Sequence, residues 1–70
     1  MNEHMLNLRR ILIGMLKSVG MNKEDTLGIM SFMKTEEMMN SLMDKLEEMY
    51  PNITPKEAMQ VACEIIIKRL

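Results

Sequence analysis

Reactive and cross-linking side chains are scarce in this sequence. Cys63 is the only cysteine and His4 the only histidine. One thiol forms no intrachain disulfide, and two such side chains fall short of the four ligands a structural zinc site wants. The two also make a poor nucleophile and base, because they lie at opposite ends of the chain with no orienting group or oxyanion loop. Cys63 reads as a small buried thiol in the last helix, and His4 as an exposed or helix-end residue. Gly14, Gly20 and Gly28 stand apart from one another, so no Gly-rich phosphate loop is present. The formal net charge is −1, which gives no global pull toward nucleic acid or an anionic membrane. No apolar run approaches the roughly 18 residues that span a bilayer. Arg9, Arg10 and then Ile11 to Leu16 have the outline of a secretory signal, but the apolar run is short and Gly14 interrupts it. Without a leader, the sequon Asn52-Ile53-Thr54 is accidental. An unpaired thiol fits a reducing cytoplasm, and the opening Met1 fits a whole gene product.

What is abundant is apolar surface at helical spacing, including eleven methionines in 70 residues. The clearest stretch runs from Thr35 to Tyr50. At about 100° per residue, Met38, Met39, Leu42, Met43, Leu46, Met49 and Tyr50 share one side, and every polar residue of the stretch falls on the other. Such a face must be covered by the rest of the chain or by a partner. A chain of this length buries only roughly 60% of its unfolded surface, so its stability rests on efficient helix packing or self-association.

The spacing predicts one all-α domain over residues 1–70, a compact bundle of four short helices at about 3–19, 22–33, 35–50 and 54–69. Met5, Leu8, Ile11, Leu12, Met15, Leu16 and Val19 make the inward arc of the first. Leu6 and Ile13 form a separate stripe, which faces either another helix of the same fold or a partner. Gly20 is the left-handed C-terminal cap, with Met21 folding back onto Leu16. Asn22 caps the second helix, whose inward residues are Leu27, Met30 and Met33, broadened by Ile29 and Phe32. Thr35 caps the third, and Pro51 stops it. Thr54, Pro55 and Glu57 form a capping box with proline at the first helical position, and Ile53 before the cap can staple to Ala58. The fourth helix is apolar around most of its circumference: Ala58, Met59, Ala62, Cys63, Ile65, Ile66 and Leu70, widened by Val61 and Ile67. It is therefore either the central helix or a dimer seam. The short connections imply helices packed on their sequence neighbours.

Most of the methionines lie on inward faces, which favours a core role over a Met-lined groove for partner helices. Met1, Met5, Met38 and Met43, at an end or the edge of an arc, are the ones placed to face outward. The carboxylate pairs Glu36/Glu37 and Glu47/Glu48 lie on a solvated face, which supports no acid–base chemistry.

The second and third helices resemble a helix-turn-helix in outline. From Glu36 to Tyr50, however, the would-be recognition helix carries five acids and one lysine, a net −4. Its first turn offers Glu36 and Glu37 where base-reading donors belong. The only basic pairs are Arg9 with Arg10 and Lys68 with Arg69. Over Leu27 to Ala62, the stretches Leu27-Gly28-Ile29-Met30, Lys34-Thr35-Glu36-Glu37 and Thr54-Pro55-Lys56-Glu57 resemble small uncharacterised all-helical bacterial proteins. The resemblance implies the fold and brings no functional residues with it.

The functional expectation is a non-enzymatic protein-interaction or regulatory module, self-associating as a homodimer in the cytoplasm. No cofactor, metal, membrane or small-molecule substrate is implied. Leu6, Ile13, Val61, Ile67 and Leu70 are its candidate interface. The alternative is a small helix-turn-helix-like DNA-binding regulator working through Arg9, Arg10, Lys68 or Arg69.

Overall fold

The computed structural model describes residues 2–70. It contains four helices: α1 (Glu3–Ser18), α2 (Lys23–Phe32), α3 (Glu36–Met49) and α4 (Pro55–Lys68). The expected ranges differ from these only by the capping residues. Side-chain oxygens close every N-terminus. Asn2 accepts from the Met5 amide at 2.7 Å, Asn22 from Asp25 at 2.8 Å and Thr35 from Met38 at 3.1 Å. Thr54 accepts from Glu57 N at 3.2 Å, while Glu57 Oε1 accepts from Thr54 N at 2.9 Å, completing the box around Pro55.

Gly20 has φ +91°, the left-handed conformation that a Cβ penalises. Its amide donates to Lys17 O at 2.9 Å, and the Met21 amide donates to Leu16 O at 3.1 Å. These two bonds make a Schellman turn and bring Met21 into the core with Leu16. At the end of α3, Tyr50 takes the extended ψ of 141° that a following proline demands.

The helices do not pack strictly in sequence order. α1 packs on α2 and α3, and α4 packs on α2 and α3, so the order around the bundle is α1, α3, α4, α2. The helix-turn-helix-like pair α2–α3 shares less contact than any of these four pairs. The Cα radius of gyration is 11.0 Å, against about 11 Å for a compact domain of this length. No element therefore stands away from the others.

Leu12, Leu16, Met33, Met39, Leu42 and Leu46 are the largest fully buried side chains. Among the described methionines, Met21, Met30, Met33, Met38, Met39 and Met43 are buried, and Met5, Met15, Met49 and Met59 are half-buried. Methionine is thus core filling, and Met38 and Met43 face inward; Met1 lies outside the described residues. Ile53 and Ala58 are both buried, as a hydrophobic staple requires.

Several inward assignments are corrected. Ile11 is exposed on the flank of α1. α2 buries Thr26, Ile29, Met30 and Met33 and turns Leu27 and Phe32 outward. The Thr26 hydroxyl can be buried because it donates to Asn22 O at 2.8 Å, and this rotates the inward stripe away from Leu27. Tyr50 leaves the helical phase of α3 with its backbone and is exposed. α4 is not the central helix: only Ala58 and Ala62 are buried along it, a strip of small residues one turn apart. Cys63, about 100° further round, is exposed rather than buried.

Candidate interaction surface

The five expected interface residues fall on three different flanks. Ile13 is half-buried against the core, which answers its stripe from within the chain, whereas Leu6 remains 41% exposed. Val61 is half-buried on the α3 side of α4, lining a cleft with Lys45, Met49 and Ile65. Ile67, about 120° round the helix from Val61, is 66% exposed on the α2 side. Leu70 follows it beyond the helix end and is 93% exposed.

That α2 side is the most open apolar feature of the molecule. A groove of about 500 Å³ runs between α2 and α4, lined by Gly28, Ile29, Phe32, Met59, Cys63, Ile66 and Ile67, with Glu24 and Asp25 at one end. A second hollow of about 410 Å³ continues from Phe32 and Ile66 to Lys34, Arg69 and Leu70. The groove lies beside the fully buried strip of α4, Ala58 and Ala62. Met59 and Ile66 are half-buried against the core at its floor, while Cys63 and Ile67 are left exposed on the flank, with the ten-residue α2 opposite. Phe32, expected to broaden the core face, is instead 54% exposed. Sequence reasoning missed Phe32 and Cys63 as groove residues. For Phe32 the missed signal is the burial of Thr26 on α2, which hydropathy alone discounts; for Cys63 it is its place about 100° round α4 from the buried Ala62.

Charged side chains are engaged in contacts between elements at three points, besides the Lys45–Glu48 pair within α3. Arg9 reaches from α1 to the end of α2 and donates to Met30 O and Met33 O, each at 3.0 Å. No basic residue lies in the last turn of α2; Arg9 supplies the cation there, adding a second bond to Met30 O, which also accepts from the Met33 amide, and bonding the cap carbonyl of Met33. Arg69 pairs with Glu37, and His4 Nε2 lies 3.0 Å from Glu36 Oε1. The acidic first turn of α3 is thereby tied to both ends of the chain. These two pairs are solvent-exposed and worth at most about 1 kcal/mol each.

Another hollow of about 460 Å³ opens between α1 and α3, but of its apolar liners Met15, Val19, Leu46 and Tyr50, only Tyr50 is strongly exposed. Among the described residues no three His, Cys, Asp or Glu side chains gather in a way that could hold a metal ion. Every buried side-chain polar atom described has a hydrogen-bond partner, so no orphaned group marks a ligand site. Among the described residues no helix is long and apolar enough to cross a membrane. No family model, curated protein or solved structure matches this chain.

Proposed function

We propose that this protein is a small non-enzymatic interaction or regulatory module that associates first with itself, through the apolar flank between α2 and α4. The observation carrying this reading is the adjacency of Phe32, Ile67 and Leu70 along one groove, all well exposed in the single chain. Taking about 200 Å² for a large apolar residue, the three leave on the order of 400 Å² open. That lies within the size of patch that is often functional on a monomer. It is below the roughly 800 Å² per partner of a standard stable interface. A reversible dimer in the micromolar range fits these magnitudes better than an obligate one.

The DNA-binding alternative draws less support. Of its four basic residues, Arg9 is committed to the carbonyls of α2 and Arg69 to Glu37. The remaining pair, Arg10 and Lys68, gives at most two phosphate contacts, few for duplex binding at physiological salt.

Light scattering on a size-exclusion column tests the proposal across a concentration series. Mass should rise from one chain toward two over the micromolar range, and Ile67→Glu should return it to one. A single-chain mass at every concentration up to the millimolar range would sink the proposal.

A further inference from the structure

The two ends of the α2/α4 groove carry opposite charge. Glu24 and Asp25 stand at the end nearer Met59. Lys34 and Arg69 stand at the other, beyond Phe32 and Ile66. Glu24, Asp25 and Lys34 are exposed and make no ion pair among the described residues. Lys23, next to Glu24 in sequence, projects from the far side of α2, roughly 180° from the groove direction. The midpoint of the groove falls at Gly28 on α2 and Cys63 on α4, halfway between Glu24 and Phe32 and between Met59 and Ile67. A Cβ built on Gly28 would meet nothing within 4 Å. The centre is therefore a shallow notch with a small thiol beside it.

A surface with an acidic end, an apolar middle and a basic end is complementary to itself after a half-turn. A twofold axis through the notch lays one groove over another in reverse. It sets Glu24 and Asp25 of each copy toward Phe32 and Lys34 of the other, and Ile67 of each toward Met59 of the other. Isologous contact of this kind closes at two chains and buries the same patch on both. We infer that the occupant of the groove is a second copy of this chain, docked antiparallel about an axis beside Cys63. The inference rests on the self-association proposed above and adds its geometry. The apolar middle supplies the attraction, and the charged ends set the direction.

Charge reversal tests the arrangement on the full-length chain. Lys34→Glu places like charges together at both ends of the dimer, and so does the double variant Glu24→Lys/Asp25→Lys. Each alone should weaken dimerisation on the order of tenfold, through two exposed contacts whose sign has changed. Mixing the two variants should restore it, because every end in the mixed dimer again faces opposite charge. A short homobifunctional maleimide should link the wild-type chains through Cys63, the only cysteine. Ile67→Glu should abolish the link. All four positions are exposed; the double lysine variant also removes the acidic first turn of α2, so circular dichroism and the recovery on mixing separate a weakened helix from a reversed contact. A strictly single-chain protein at all concentrations would overturn both this inference and the self-association beneath it. A dimer that survives Ile67→Glu, fails to recover on mixing, or escapes the Cys63 linker would overturn the antiparallel groove alone. Association would then run through another flank.

Discussion

Gly20 carries more of the fold than its size suggests. Its positive φ closes α1, and an added Cβ would stand 3.3 Å from Pro55 Cγ at the start of α4. Gly20→Ala should therefore destabilise the protein by about 1–2 kcal/mol, read from the midpoint of chemical denaturation. An unchanged midpoint would mean that the turn relaxes freely. Gly28 predicts the opposite sign, since it sits inside a helix with open space where a methyl would go. Gly28→Ala should stabilise the monomer by up to about 1 kcal/mol. Arg9 separates a structural role from an electrostatic one. Its two bonds to α2 carbonyls need the planar fork, so Arg9→Lys should lose about 1 kcal/mol or more while keeping the charge. A DNA-contacting arginine would tolerate lysine with little change in stability. The caps were legible because a side chain bonding an amide three residues ahead is a local matter. The destination of Arg9 was not, because its partners lie 21 and 24 residues away.

At the scale of the helix, legibility followed the contrast between faces. α3 has every apolar residue on one side, and all its inward assignments up to Leu46 hold, with Met49 half-buried. α2 is short and contains a buried threonine and two outward apolar residues; Ile29, Met30 and Met33 face inward as the spacing required, and counting hydrophobes misplaced only the edge residues Leu27 and Phe32. α4 is apolar almost all round, which gave two readings and no means to choose. The choice came from which of its neighbours are small. Ala58 and Ala62 are its fully buried strip, Met59, Val61, Ile65 and Ile66 are half-buried on either side, and Cys63, Ile67 and Leu70 are left outside. Leu27 and Thr26 offer a check on the phase of α2. Leu27→Gln, at an exposed position, should change stability by less than about 0.5 kcal/mol. Thr26→Asp would place a charge where only 3% of the residue is exposed and should unfold much of the population. Equal effects from the two would show the phase to be wrong.

For the molecule as a whole, the surface of 4770 Å² is close to the roughly 4500 Å² that a globular protein of this mass exposes. The chain is not short of compactness. It leaves apolar side chains uncovered in several places, Leu6, Ile11, Leu27 and Tyr50 among them, and gathers Phe32, Ile67 and Leu70 on the α2/α4 flank, which no reading of composition could locate. If that flank is where two chains meet, thermal stability should depend on protein concentration. Scanning calorimetry over a hundredfold dilution should lower the midpoint of the wild type and leave that of Ile67→Glu unmoved.

The order of the helices around the bundle bears on how the chain is made. α1 rests on α3 as well as on α2, so the first two helices emerge with only each other to pack against. They stay unfinished until about residue 49 has followed them. A fragment of residues 1–34 should show no cooperative melting, and a nascent chain arrested before α3 should be open to proteolysis along its first half. The third helix acts as the keel on which the first and the last are laid.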